Sequence, residues 1–309
     1  MGFVSVTIDL DEIYCYLAIH GLDEQAAGPA AHAVYEKALP RAARFFEQLE
    51  VKATLFVVGR DVTDPDRAAK IRELCAKGHE PANHTMNHPY DFSVKSTEAQ
   101  TREIDDAHRA IAAAVDKPPV GFRAPGYNIN TGIIALLRQR GYRYDSSVFP
   151  CPSYYAAKAG AIGLKSLQGR QSKSIMGDPR VLTAPVTPYR IGEEGIWTRS
   201  DQGLRELPIT VVTKARLPFI GTSIAVMGAL PAKLLARQAA KLNVVNLELH
   251  GMDFLDADQD DLAFLRPHQP DLKVPLTKRL KNLEIAVKTL LDAGLEPTPL
   301  RDVAERLFI

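Results

Sequence analysis

The sequence predicts an α/β protein with a largely parallel sheet. Short β-branched runs alternate along the chain with longer amphipathic stretches, which is the pattern of strands joined by helices. Polar motifs recur where the predicted strands end, the edge at which barrel enzymes place their sites. At 309 residues the chain is long enough for one large domain. We expect a single domain over 1–309, with an elaborated insertion at about 150–208.

The first half of the chain alternates strictly between strands and helices. Gly78 is a natural residue to follow a helix, Ser96 is a good residue to cap one, and Pro118 with Pro119 ends that second helix. The periodicity predicts strands over 4–8, 53–58, 79–83 and 120–123, and helices over 30–49, 66–77 and 96–115.

The second half is less regular. A helix over 131–140 is closed by Gly141, and an extended segment follows over 142–145. Residues 150–208 show no clear periodicity and are rich in Pro, Gly and Ser, but short apolar runs recur within them. We interpret them as an excursion across one face of the domain. Regular structure returns as a strand over 244–249 and a helix over 276–293.

Composition and charge exclude some functions. Basic and acidic residues nearly balance at a net charge of +1, and no basic stripe is present, so nucleic acid is not an expected partner. The three cysteines show no C-x-x-C spacing and are interpreted as idle thiols in a reducing compartment. The amino terminus has no recognisable secretory signal. We therefore expect a cytoplasmic protein.

No apolar run is long enough for a transmembrane span. The nearest is 217–230, followed by Pro231 and a basic amphipathic run over 232–241. We favour a buried strand and loop that lead into a helix. The alternative is a surface that contacts a bilayer or a lipid-linked substrate, which would place the protein at the inner membrane face.

Two short strings contain the ligands that a catalytic metal needs. His84 and His88 are four residues apart, so a helical turn or tight loop would bring both to one ion. Asp9 and Asp11 flank one residue and would point the same way from an extended strand. One carboxylate would complete a three-ligand set and the other would remain a base. This ligand set suits Zn²⁺ and also permits Co²⁺, Ni²⁺ or Mn²⁺.

Three further residues are candidates for chemistry. Arg123 follows a predicted strand and either lies in a surface turn or orients a catalytic carboxylate. His250 ends an apolar run, where it could act as a general acid if a carboxylate adjusts its pKa. We expect Asp145 to supply that influence.

These strings together resemble the polysaccharide deacetylase family, carbohydrate esterase family four. The resemblance extends from residue 4 to about 255, and its five motifs occur in order, which is far more specific than any one of them. The motifs are 7–11 (TIDLD), 84–88 (HTMNH), 123–127 (RAPGY), 145–147 (DSS) and 249–250 (LH). The resemblance implies a distorted (β/α) barrel of about seven strands with a zinc-type site.

The resemblance also implies a role for each residue. The tetrahedral oxyanion would be held by the metal and by a backbone N–H near Tyr127, which we take as the substrate-side residue. The metal would activate water for attack on an amide. In this scheme Asp9 is the base, Asp11, His84 and His88 are the metal ligands, Arg123 orients the base, His250 is the acid and Asp145 tunes it.

The sequence departs from the usual family pattern in its first motif, where Leu10 separates the two aspartates. That form looks like cytoplasmic branches that include an aminoarabinose-lipid deformylase and an allantoinase. We expect removal of an N-acyl group, first of all N-acetyl, from a sugar or glycan that is lipid- or nucleotide-linked. The alternatives are a deformylase or cyclic-amide hydrolase, and a family member that binds a glycan without cleaving it. Tyr154, Tyr155, Tyr189 and Trp197 either stack on sugar or belong to the core. Oligomeric state is open.

Overall fold

The computed structural model describes residues 2–167 and 173–308. The strands in chain order are Phe3–Asp9 (β1), Thr54–Val57 (β2), Glu80–Asn83 (β3), Gly121–Phe122 (β4), Tyr144–Asp145 (β5), Tyr189–Gly192 (β6), Gly195–Ser200 (β7), Arg205–Glu206 (β8), Val211–Val212 (β9), Leu217–Pro218 (β10), Val244–His250 (β11) and Glu296–Pro297 (β12). The helices are Ile13–His20 (α1), Leu39–Gln48 (α2), Pro65–Ala76 (α3), Thr97–Val115 (α4), Thr131–Gln139 (α5), Pro152–Leu167 (α6), Gly221–Met227 (α7), Ala229–Ala239 (α8), Leu276–Asp292 (α9) and Leu300–Leu307 (α10).

The main sheet is parallel along most of its width. Its order is β11-β1-β2-β3-β4-β5-β8, and each of these neighbouring pairs is parallel. The hairpin β6–β7 extends the sheet beyond β8 in antiparallel fashion, and β12 lies beside the start of β1. This arrangement confirms the predicted α/β class and the barrel-like sheet with seven parallel strands at its centre.

The sheet curls so that β11 and β8, the outer strands of its parallel part, are joined by isolated hydrogen bonds and not by a strand ladder. The amide of Asn246, in β11, donates to the carbonyl oxygens of Leu207 (2.9 Å) and Pro208 (3.3 Å), which follow β8. The backbone N–H of Thr210 donates to the carbonyl of Asn246 at 3.1 Å. Because these bonds replace regular pairing between β8 and β11, the barrel is distorted, as the sequence predicted.

The strand register brings the motif residues to one edge of the sheet. Asp9 ends β1, and His250, its direct partner in the parallel ladder, ends β11. His84 follows β3, and Arg123 follows β4. Since parallel strands end at the same edge, these side chains converge without any long-range adjustment of the loops.

The predicted helices form, with one shift. Side chains of Asp64, Ser96 and Asn130 accept backbone N–H groups at the starts of α3, α4 and α5, as capping residues do. The α-helix predicted over 30–49 is shorter than expected. Helix α2 begins at Leu39, and a π-helical turn over residues 34–38 precedes it. Pro40 has no N–H to donate, so it is best accommodated in the first turn of a helix.

The insertion contributes both a helix and strands. Helix α6 comes first, and β6, β7 and β8 then extend the main sheet, so this segment is part of the fold and not a linker. The single-domain expectation stays a prediction.

Helix α10 covers the end of the barrel opposite the motif residues. Its Leu300, Val303 and Ala304 are fully buried in a cluster with Phe3 and Val244, the first apolar residues of β1 and β11. That end of the barrel is therefore closed by apolar packing. The open end of the barrel lies at the carboxyl ends of the strands. Within the described ranges, no helix has the length and apolar character needed to span a membrane.

Candidate metal centre and active-site cleft

Asp11, His84 and His88 form a buried cluster with the character of a metal site. One ligand atom from each lies within 4.8 Å of the others, and Asp11 Oδ1 is 3.3 Å from Nε2 of both histidines. Asp11 Oδ1 and both ring nitrogens of His88 are buried without a hydrogen-bond partner in the described part of the chain. Buried polar atoms are rarely left in this state, so the cluster fits a divalent cation.

The surrounding structure fixes the ring of His84 for that role. His84 Nδ1 lies 2.7 Å from the carbonyl oxygen of Arg123. Because a carbonyl only accepts, Nδ1 carries a proton, and Nε2 is the ring nitrogen that faces Asp11. The orientation of this candidate ligand is therefore set by the strand next to it.

His88 reaches the cluster from a tight loop and not from a helix. The residues Thr85 and His88 both have positive φ, 66° and 53°, a conformation uncommon outside glycine. The side chain of Thr85 accepts the backbone N–H of His88 at 3.1 Å, and the side chain of Asn83 accepts that of Thr85 at 2.7 Å. Burial lowers the pKa of His88 to about 4, so the ring is neutral and able to bind a cation.

Asp9 lies beside the cluster, where Arg123 holds one of its oxygens. Arg123 Nη1 donates to Asp9 Oδ1 at 2.5 Å and to Thr7 Oγ1 at 3.1 Å, and the guanidinium lies over the ring of Phe56. Its remaining nitrogens donate to Ser146. Burial raises the pKa of Asp9, although Arg123 acts in the opposite direction. The other oxygen, Asp9 Oδ2, faces the cluster and lies 3.8 Å from His84 Nε2.

His250 lies beside the cluster, and its imidazole contacts the carboxylate of Glu248. Glu248 Oε1 lies 2.8 Å from His250 Nδ1 and also accepts the hydroxyl of Tyr127 at 2.9 Å. Burial alone would lower the pKa of His250, but the Glu248 carboxylate raises it well above its ordinary value. His250 Nε2 lies on the side of the cluster, 3.9 Å from Asp11 Oδ2.

Asp145 does not occupy the position that we predicted for it. It is the register partner of Glu206 on β8, and its carboxylate is hydrogen-bonded to that residue and to Ser147 Oγ, the latter at 2.7 Å. Burial raises the pKa of both Asp145 and Glu206. The carboxylate that contacts His250 is Glu248, and the expected contact with Asp145 is corrected accordingly.

The use of a backbone N–H near Tyr127 to hold the oxyanion stays a prediction. The N–H of Tyr127 itself donates to the carbonyl of Ala124 at 3.1 Å within its own turn. The part of Tyr127 that serves the site is the phenol, which holds Glu248.

These groups open into a cleft of about 320 Å³. Aromatic rings form much of its wall, and of the four aromatic residues that the sequence singled out, Tyr154 is among its lining residues. Tyr155 and Tyr189 are buried in the core, whereas Trp197 lies against Arg180. The catalytic candidates Asp9, Asp11, His84 and His250 all line the cleft.

Sequence reasoning missed three polar residues of this cleft region. Glu248 was detectable, because residues two apart on a strand point to the same face and Glu248 precedes His250 by two. Tyr16 and Asp271 line the cleft, and each has a buried oxygen without a partner in the described residues. They come from irregular or distant segments that carry no local motif, so no sequence signal indicated them.

The fold and the site define a (β/α)-barrel protein with a buried Asp–His–His cluster, a candidate metal site, at the carboxyl ends of its strands. The polysaccharide deacetylase family matches residues 27–144. The matched residues include two of the five motifs, 84–88 and 123–127, so the chain is similar to this family over that segment.

Two curated relatives match parts of the chain. Peptidoglycan-N-acetylglucosamine deacetylase from Bacillus cereus is 32% identical over 104 residues, which cover 34% of this chain and 47% of that protein. Chitooligosaccharide deacetylase from Sinorhizobium fredii is 43% identical over 76 residues, 24% of this chain and 34% of that protein. The chain therefore spans less than half the length of either relative.

Solved structures match almost the whole chain. One from Pseudomonas aeruginosa, described as a polysaccharide deacetylase, superimposes with a TM-score of 0.61 at 12% identity and covers 98% of this chain and 89% of that chain. Puue allantoinase gives 0.59 at 13% identity, with 98% and 88% covered. At these identities the likeness confirms the fold.

Proposed function

We propose that the protein is a metal-dependent hydrolase that removes an N-acetyl group from an amino sugar or a short glycan. The observation that carries this proposal is the convergence of three groups on one cleft: the Asp11–His84–His88 cluster, the Asp9–Arg123 pair and the His250–Glu248 pair. The two curated relatives, both named as deacetylases of N-acetylated sugars, support the same reaction.

Asp11, His84 and His88 would hold the metal, for which their mixed oxygen and nitrogen ligands favour zinc, with cobalt, nickel and manganese as alternatives. A bound divalent ion would act as a Lewis acid on the amide carbonyl and make water easier to deprotonate.

Asp9 would be the general base. Arg123 holds Oδ1, which leaves Oδ2 to accept a proton from water as the oxygen of that water bonds to the amide carbon. Because Arg123 also bonds Thr7 and Ser146, the carboxylate cannot rotate away from the cleft. Arg123 is thus a positioning residue for the base.

His250 would be the general acid. Glu248 accepts the proton on Nδ1 and stabilises the imidazolium, so Nε2 can donate its proton to the nitrogen of the leaving amine as the carbon–nitrogen bond breaks. The products are a free amine and a carboxylate. Tyr127 fixes Glu248 from its other side.

The cleft suits a small polar substrate. At about 320 Å³ it lies at the lower end of ligand pockets, which range over roughly 300–1,000 Å³. The face of Tyr154 could pack on a sugar ring, and Tyr16 and Asp271 present atoms that a sugar hydroxyl would satisfy. We retain the cytoplasm as the proposed location, on the cysteine pattern.

N-formyl sugars and cyclic amides are the alternative substrates, because they need the same metal, base and acid. The fold is shared with an allantoinase structure, which keeps a cyclic amide in consideration. The products distinguish these reactions, whereas the site residues do not.

The decisive experiment is a proton NMR time course with the zinc-loaded protein. The substrates would be N-acetyl and N-formyl sugars, free, nucleotide-linked and lipid-linked, together with allantoin. We expect an acetate signal that a chelator stops and that His250→Asn lacks.

A formate signal, or loss of allantoin without either acid, would replace the deacetylase proposal with the corresponding alternative. No product from any substrate, with metal bound, would favour a glycan-binding protein.

A further inference from the structure

We propose that α7, α8 and the hairpin β9–β10 form a membrane-docking surface that places the cleft against an anionic bilayer. The first observation is an exposed apolar patch, which we call the 217–234 patch. Its members Leu217, Val226, Leu230 and Leu234 are 40%, 42%, 68% and 51% exposed. They are four of the seven large apolar residues exposed within the described residues. Clustered apolar exposure of this kind marks an interaction site.

The patch is interleaved with basic side chains. Lys233 and Arg237 follow Leu230 by three and seven residues in α8, so the three side chains lie on the same solvent-exposed face of the helix. The inner side of α8 is a row of buried alanines at 232, 236 and 239. A helix with leucine and basic residues together on its solvent side resembles an interfacial helix.

The segment that forms this surface contains no acidic residue. Between Glu206 and Glu248 the sequence contains five basic residues and no acidic one, in a chain whose net charge is only +1. Both flanking glutamates are fully buried. On the neighbouring helix α9, Glu284 is paired with Lys281 and Lys288. The surface is therefore complementary to negative charge.

The patch adjoins the entrance of the cleft. Ile220 and Thr222 are cleft-lining residues at the start of α7, and Val226 lies on the same helix. Four helical residues span about 6 Å along the axis. A bilayer in contact with the 217–234 patch would therefore lie close to the cleft opening.

An anionic bilayer accounts for these features better than a second copy of the chain does. A two-fold dimer would bring the patch against itself and oppose Lys233 and Arg237 to like charges with no acid to neutralise them. Anionic headgroups would pair with the basic residues while the leucines enter the headgroup boundary. Within the described residues no helix could cross a membrane, so the contact would be peripheral.

The test is co-sedimentation of the purified protein with vesicles of phosphatidylcholine alone and with phosphatidylglycerol added. We expect binding only when phosphatidylglycerol is present. Lys233→Glu/Arg237→Glu should weaken binding about tenfold or more, and Leu230→Gln/Leu234→Gln should weaken it several-fold without changing charge. All four positions are exposed, so the fold should survive, which circular dichroism would check.

The matched control is Leu307→Gln. Leu307 is 38% exposed but lies on α10, at the opposite end of the barrel, so binding should be unchanged. The proposal is overturned if the wild-type protein does not bind, if both double variants bind as well as wild type, or if light scattering finds a dimer that Leu230→Gln/Leu234→Gln dissociates. Because the assay measures no turnover, its outcome is independent of the proposed function.

Discussion

Glu248 and His250, two residues apart on β11, form a direct pair in which Glu248 Oε1 lies 2.8 Å from His250 Nδ1. The strand alternates its side chains between faces, so the geometry of the backbone itself brings both to the cleft. Since Glu248 is fully buried and also bonded to Tyr127, its charge acts on the imidazole without screening by water.

This pair predicts that Glu248→Gln lowers kcat about 100-fold. Glutamine keeps the acceptor for the histidine proton but removes the charge that stabilises the imidazolium. The control is Asp145→Asn, which changes the carboxylate that sequence reasoning assigned to His250 and which should alter kcat far less. Steady-state kinetics on both variants would decide, and a larger defect in Asp145→Asn would restore the original assignment.

Asp9→Asn should abolish turnover while leaving the metal bound. Asparagine can still accept the Arg123 hydrogen bond, but it cannot take a proton from water, and loss of a general base costs about 10²- to 10⁴-fold in rate. Asp11→Asn should instead lose the metal. Metal analysis by plasma mass spectrometry, done beside the activity assay, checks both. If Asp9→Asn loses its metal, the roles of the two aspartates must be exchanged.

Zinc should stabilise the folded protein, because it would satisfy the unpaired buried atoms of Asp11 and His88. After treatment with a chelator, addition of zinc to 100 times its dissociation constant should raise the free energy of unfolding by about 2.7 kcal/mol. Urea denaturation with and without zinc measures this gain. His88→Ala should show little of it, and an equal gain in that variant would place the ion elsewhere.

His79 should make stability fall in mild acid. Its Nδ1 accepts the backbone N–H of Ala53 at 2.9 Å, and burial lowers its pKa to about 4. The unfolded chain therefore takes up a proton first as the pH falls below about 6.5, so stability present at neutral pH is lost between about 6.5 and 4. The loss amounts to as much as about 3 kcal/mol at roughly 1.4 kcal/mol per pH unit.

The matched variant for this prediction is His79→Asn, which keeps an acceptor for Ala53 but does not titrate. The denaturation midpoint of each protein would be measured at neutral pH and near pH 4. The part of the pH-dependent fall in midpoint that is absent from His79→Asn is the contribution of His79. Parallel pH curves would show that His79 has the same pKa in the folded and the unfolded chain, which would contradict the prediction.

The sequence predicted the parts of the fold and site that are local. The ligands of the cluster and the Arg123 partner lie in short motifs at strand ends, and parallel strands bring such ends together by their geometry alone. The strands with clear apolar runs formed within a residue or two of their predicted bounds.

The sequence did not predict contacts that depend on which strands become neighbours. Asp145 was assigned to His250, but the pairing of β5 with β8 places it on Glu206. Asp271 reaches the cleft from a segment with no motif. In each case the missing information was three-dimensional packing, which local periodicity does not contain.

The register that pairs Asp9 with His250 has a consequence for how this scaffold can diversify. The proposed base and the proposed acid are on adjacent strands, so the spacing of their backbones follows from the repeat of a β-ladder, about 4.8 Å, and not from any loop. Loops outside the sheet can lengthen, shorten or be exchanged without disturbing it. New substrates can therefore be acquired through the connecting segments, while the proton-transfer machinery is inherited intact with the sheet.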